Sequence, residues 1–389
     1  MNESTFTPGG GQPGAPVRGR GPSGFEAVGS VAVRTFAAHQ QSPQRIQTAH
    51  QSMDGPYVNA MAGGRSGNSH FAAYDDDLPE GHFYDPDAEY EPDPEYAATL
   101  APDAARQRRE RIGPTGRPLP YFPIPGPLTE HGPAKIIAMC NQKGGVGKTT
   151  STINLGAALA EYGRRVLLVD FDPQGALSVG LGVNPMELDL TVYNLLMERG
   201  MAADEVLLKT AVPNMDLLPS NIDLSAAEVQ LVSEVAREST LQRALKPLMA
   251  DYDYIVIDCQ PSLGLLTVNA LTAAHKVIVP LECEFFALRG VALLTETIEK
   301  VQERLNPELE LDGILATMYD SRTVHSREVL ARVVEAFDDH VYHTVIGRTV
   351  RFPETTVAGE PITTYASNSV GAAAYRQLAR EVLARCHAE

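Results

Sequence analysis

The segment Gln142-Lys143-Gly144-Gly145-Val146-Gly147-Lys148-Thr149-Thr150 restricts what this chain can fold into more than any other part of it. It follows a short apolar run over residues 134–140 that reads as a buried strand, and it opens a helical pattern over residues 148–162 that Gly163 ends. A glycine-rich bend between a strand and a helix is the context of a phosphate-binding loop. Glycine lets backbone N–H groups converge on an anion where a Cβ would crowd the approach. The helix N-terminus adds its positive end. In such a loop Gly144, Gly145, Val146, Gly147, Lys148, Thr149 and Thr150 cradle the phosphates of ATP. Lys148 reaches the β- and γ-phosphates, and the Thr149 hydroxyl ligates Mg²⁺.

The chain around the loop supports the same architecture. Apolar strand-like runs at 165–171, 215–218, 254–258, 276–281, 313–318 and 343–346 alternate with helical patterns such as 287–305 and 326–337. Near-continuous apolar strands separated by helices predict an α/β fold, a mostly parallel twisted sheet with helices on both faces. Residues 134–389 are enough for one large core and form the expected P-loop ATPase domain. Residues 1–133 are rich in Gly, Pro and Ser and have few aliphatic clusters, so they are expected to be a disordered tail. Within that tail lies an acidic segment, 75–95, with interleaved aromatics, followed by a basic cluster (Arg106, Arg108, Arg109, Arg111) and a proline-rich linker.

Charge and cysteine content exclude several functions. The formal charge is −17 and neither the tail nor the core is basic, so any nucleic-acid contact must come from a local patch. The four cysteines form no Cys-x-x-Cys pair, which argues against a zinc site and for small buried thiols. No apolar run approaches the ~20 residues of a membrane span, and no signal peptide is apparent. A cytoplasmic protein without stable membrane association is expected.

The loop departs from the ordinary Gly-x-x-x-x-Gly-Lys-Thr pattern, because Gln142 replaces the first glycine and Lys143 follows it. Lys-Gly-Gly-x-Gly-Lys-Thr resembles the deviant Walker A loop of the ParA/MinD superfamily. The resemblance implies a homodimer formed with ATP, in which Lys143 reaches across to the partner's phosphates and acts with Lys148 in catalysis. Val169-Asp170-Phe171-Asp172-Pro173-Gln174 looks like the family's Asp-x-Asp-Pro-Gln segment. By that match Asp172 orients or activates the attacking water and Asp170 supports the metal environment. The strand Tyr254-Ile255-Val256-Ile257-Asp258 resembles a Walker B strand, which assigns Asp258 to Mg²⁺ together with Thr149.

The similarity extends to Pro280-Leu281-Glu282-Cys283-Glu284-Phe285-Phe286 and to Thr317-Met318-Tyr319-Asp320-Ser321-Arg322, segments similar to those of ParA/Soj partition ATPases. That family implies slow, partner-stimulated hydrolysis of ATP to ADP and phosphate, non-specific DNA binding by the ATP dimer, and a ParB-type centromere-binding partner. It also implies a nucleoid-associated location. Matching positions suggest Arg322, Arg348 and Arg351 as DNA phosphate contacts. Gly347, Pro353, Thr355 and Thr356 depart from the family's usual run there. Other readings are a ParA-like paralogue that regulates a condensin-linked or polar cargo complex, and a MinD-type membrane-cycling division regulator. The second needs a lipid-facing terminal helix, whereas Tyr375, Leu378, Val382 and Leu383 form a core-facing stripe.

Overall fold

The computed structural model describes residues 111–284 and 287–387. The acidic segment 75–95 and the rest of the tail up to residue 110 lie outside the described residues. The principal elements in chain order are β1 (Lys135–Met139), α1 (Lys148–Glu161), β2 (Val166–Phe171), β3 (Leu208–Lys209), β4 (Met215–Leu218), β5 (Tyr254–Cys259), α2 (Leu265–Ala273), β6 (Lys276–Glu282), α3 (Ala287–Arg304), β7 (Glu310–Thr317), α4 (Val324–Phe337), α5 (Arg351–Ala358) and α6 (Val370–His387).

Among the described residues, seven strands form one sheet in the order β3-β4-β2-β5-β1-β6-β7. Every pairing is parallel except that of the short edge strand β3 with β4. Successive residues of β1 face opposite sides, as a strand period of two requires. Ile136 and Ala138 join one apolar cluster, Ile137 and Met139 the other. Burial on both faces explains why the strands read as unbroken aliphatic runs. The second cluster is closed by α1 and by α6, which contributes Ala372, Tyr375, Leu378, Ala379, Val382 and Leu383. Helix α1 lies close to β2: a Cβ on Gly156 would come within 2.6 Å of the Leu168 side chain. The register places Met139 and Asp170 each opposite Asp258, so three strands end together beneath the loop.

Two expectations are corrected. Residues 343–346 do not form a strand. Isolated bridges join Val341 to Ile314 and Gly347 to Tyr319, but the N–H groups of His343 and Thr344 donate instead to the buried Glu381 carboxylate, at 2.8 and 2.9 Å. With those donors taken, a continuous ladder with β7 cannot form. The tail also does not run unbroken to residue 133, because residues 111–133 dock as an arm on the core. Arg117 donates to the Asp338 carbonyl at 2.8 Å, Arg164 donates to the Gly126 carbonyl at 2.8 Å, and Asp253 accepts from the Gly132 N–H at 3.0 Å and contacts His131 Nδ1 at 2.8 Å. The arm is held by polar anchors rather than by an apolar face, which is why composition concealed it. Prolines lower the entropy that such docking loses.

Asp253 joins arm to core, since its Oδ2 also accepts the Arg165 N–H at 2.7 Å. Burial pushes its carboxyl up, but His131 and the N–H groups of Arg165 and Gly132 more than offset this and hold it below the ordinary carboxylate range. A depressed pKa in the folded state means that this stabilisation is full at neutral pH and is lost as the pH falls through the depressed value. Asp253→Ala is expected to cost about 2–3 kcal/mol. A urea titration at pH 7 should show the lowered midpoint, and the difference from the parent should shrink on acidification.

Candidate nucleotide site

The loop after β1 is fixed from several sides. The Asn141 amide donates to the Pro280 carbonyl at 2.7 Å and its oxygen accepts the Lys143 N–H at 2.9 Å. Thr317, at the end of β7, donates to the Val146 carbonyl at 2.8 Å. Gly145 and Gly147 turn the chain with φ of 76° and 84°, a region where a side chain would be strained. Space beside Gly144 and Gly145 is open. No side chain caps the N-terminus of α1, so its first N–H groups remain available to an anion.

Lys148 is buried, with Nζ 3.2 Å from the Lys143 carbonyl. Thr149 Oγ1 donates to Asp258 Oδ2 at 2.6 Å. Thr150 follows in the first turn of α1, and its carbonyl accepts from the Asn154 amide at 2.7 Å. Asp258 and Asp170 are neighbours in the sheet, and both are buried. Burial, and then the Asp170 carboxylate beside it, push Asp258 up to about 8 against the pull of Thr149 and Lys148. Burial pushes Asp170 up to about 6, opposed by its bonds to the Ser178 hydroxyl at 2.7 Å and N–H at 2.8 Å.

Two adjoining buried carboxylates with a hydroxyl make a hard-oxygen site short of positive charge, which suits a divalent cation. Among the described residues no group of three His, Cys, Asp or Glu could hold a metal by itself. A magnesium ion here would take Thr149 and Asp258 and complete its shell with phosphate oxygens and water, its usual manner in nucleotide sites. Gln142 Nε2 is a buried donor with no hydrogen-bond partner among the described residues, a group that an oxygen-rich ligand at the loop would satisfy.

The structure therefore brings together Gly144 to Thr150, Asp170 and Asp258. Asp172 lies just beyond, half-buried, its N–H 3.4 Å from Asp170 Oδ1 and its own Oδ1 accepting the Gln174 N–H at 2.9 Å. Arg322, Arg348 and Arg351 are exposed, each beside a carboxylate: Asp320 at 3.0 Å, Glu282 at 3.4 Å and Glu354 at 3.2 Å; of the three, Arg348 reaches the edge of the loop, because Glu282 also contacts Lys143. The Arg348 N–H donates to the Tyr319 carbonyl at 3.0 Å, which joins its loop to the one carrying Arg322.

Residues 134–311 match a family model described as an AAA domain. A Mycobacterium tuberculosis protein is 69% identical over 274 residues, 70% of this chain and 86% of its own. The chromosome-partitioning ATPase Soj of Treponema pallidum is 49% identical over 251 residues, 64% of this chain and 98% of its own. This chain belongs to the ParA/Soj family. A solved structure named as a cobyrinic acid a,c-diamide synthase from Mycobacterium smegmatis, with bound ADP and magnesium, superposes with a TM-score of 0.58 at 46% identity. The match covers 65% of this chain and 96% of that one.

In this ParA/Soj chain the loop's additional lysine has partners that the sequence did not suggest. Lys143 Nζ lies 2.8 Å from Glu282 Oε2 and 2.6 Å from Glu284 Oε2. Asn141, Ser178 and Thr317 were also missed. A signal existed for Glu282, which ends an apolar strand at the same sheet edge as Asp170 and Asp258.

Proposed function

We propose that this chain is an ATP-operated dimerisation switch that hydrolyses ATP and acts in chromosome partition or positioning. One observation carries the reading. Two lysines bracket the glycine bend, and one, Lys148, is buried while the other, Lys143, is half-exposed and held only by side chains. Lys148, the loop N–H groups and the α1 N-terminus bind the chain's own triphosphate. Magnesium, held by Thr149 and Asp258, would neutralise phosphate charge. Lys143 turns to the γ-phosphate bound by a second copy, a contact that ADP does not offer, so ATP favours the dimer and ADP the monomer. Asp172 orients the attacking water, and Asp170 fixes the turn that carries it.

Arg322 and Arg351 then neutralise DNA phosphates without reading sequence, doubled by the dimer, with Arg348 beside them. A ParB-type protein would accelerate hydrolysis, and the ATP form would sit on the nucleoid. Among the described residues no helix is long and apolar enough to cross a membrane, and the apolar face of α6 is spent on α1. The packing of that α6 face in the core favours partition over a MinD-type cycle, although a paralogue serving another cargo complex would use the same switch. The name carried by the M. smegmatis structure raises ATP-dependent amide synthesis as a second reading. Phosphate release from Mg-ATP with no carboxylate acceptor present would separate simple hydrolysis from it.

Light scattering tests the switch: mass should double with Mg and a non-hydrolysable ATP analogue and not with ADP. A monomer in both rejects it. Replacing Arg322 and Arg351 together by glutamate should weaken retention on DNA at least about tenfold at moderate salt and leave affinity for the analogue unchanged. Retention with the parental salt midpoint would remove the DNA surface from this reading.

A further inference from the structure

We propose that Glu282 and Glu284 form an intramolecular latch that holds Lys143 on its own chain and sets how readily the dimer closes, with Arg348 as the counter-ion that takes over Glu282 when Lys143 leaves. The proposal rests on the dimer switch above and assigns that switch its opposing force.

The geometry supports it directly. Lys143 Nζ is shared by the two carboxylates at 2.8 and 2.6 Å. Glu282 is the last residue of β6, and its side chain is 13% exposed, so it is a fixed post. Glu284 stands two residues on, in a turn closed by its N–H on the Glu282 carbonyl at 2.7 Å, and its side chain is 54% exposed. The Lys143 main chain is pinned, its N–H on Asn141 and its carbonyl under Lys148. Only the side chain can move, and it must release both carboxylates to reach a phosphate on another molecule.

Charge explains why the γ-phosphate is needed. Lys143 is satisfied by two carboxylates, so a partner must offer a comparable anion before the ammonium leaves. The γ-phosphate does so. Release would leave two acidic side chains facing each other, but Glu282 Oε1 already lies 3.4 Å from Arg348 Nη2. Arg348 thus shares Glu282 in the latched state and can neutralise it in the released one. Its main chain is held by Tyr319, so the guanidinium is placed in advance. Glu282, Glu284 and Arg348 are positioning residues in this account, and Lys143 alone touches substrate.

Opposite-signed variants test it. Exposed pairs of this kind are worth little singly, about a threefold shift in equilibrium, but each dimer opens two latches. Glu284→Gln should therefore lower the dimer dissociation constant about tenfold, and Arg348→Ala should raise it, both read by sedimentation of the full chain with Mg and the ATP analogue, without DNA. Thermal unfolding of Glu284→Gln should match the parent, because the side chain lies at the surface. If the parent dimerises and Glu284→Gln does not tighten the dimer, the latch is wrong and the switch stands. If the parent fails to dimerise with the analogue, the switch itself is wrong.

Discussion

Lys148→Ala is expected to abolish useful binding of Mg-ATP, with affinity and turnover falling by at least about a hundredfold. Lys148 is 7% exposed and lies across the loop, with Nζ donating to the Lys143 carbonyl. In so dry a place a single charge aimed at phosphate is worth far more than at a surface. Lys148 also offsets the crowded carboxylates, since it pulls Asp258 down against the burial and the Asp170 charge that push it up. The variant should therefore be checked for folding by circular dichroism before titration with a fluorescent ATP analogue. Parental affinity in a folded variant would rule out the site described here.

The second large effect is the separation of turnover from assembly in Asp172→Ala. Hydrolysis should drop by about 10²–10⁴, while the ATP dimer should form and persist. The reason is local. Asp170 accepts from the Ser178 hydroxyl and N–H and from the Asp172 N–H, contacts that the alanine variant keeps, so it loses the carboxylate proposed above to orient the water and, with it, one bond to the Gln174 N–H. Light scattering after addition of Mg-ATP should rise and then decay in the parent, and should rise and stay high in the variant. A variant that remains monomeric with ATP would show that Asp172 serves assembly, not water activation.

Much of the site was legible because its parts are contiguous or end a strand. Gly144 to Thr150 declare themselves by glycine spacing. Asp170 and Asp258 stand at or next to the ends of aliphatic runs, and parallel pairing then sets them side by side. The failures have a common cause. Residues 343–346 carry the composition of a strand, but a carboxylate 37 and 38 residues later takes their donors. The arm at 111–133 has the composition of a linker, but Arg117 and Asp253 find backbone partners far along the chain. Lys143 was expected to act across a dimer; Glu282 could be placed at the same sheet edge from its strand, but only the fold pairs it and Glu284 with Lys143 in the single chain.

From its residues alone this chain declares a parallel α/β sheet, a triphosphate loop and the family in which two lysines flank that loop, because short-range pattern and side-chain chemistry suffice for those. Folding in three dimensions added what depends on distant partners: which carboxylates are forced together and short of cation, where the arm is tied, and what restrains Lys143. Those outcomes are competitions among polar groups for the same donors and charges, and such a competition is decided only when the strands that carry the rivals are brought side by side.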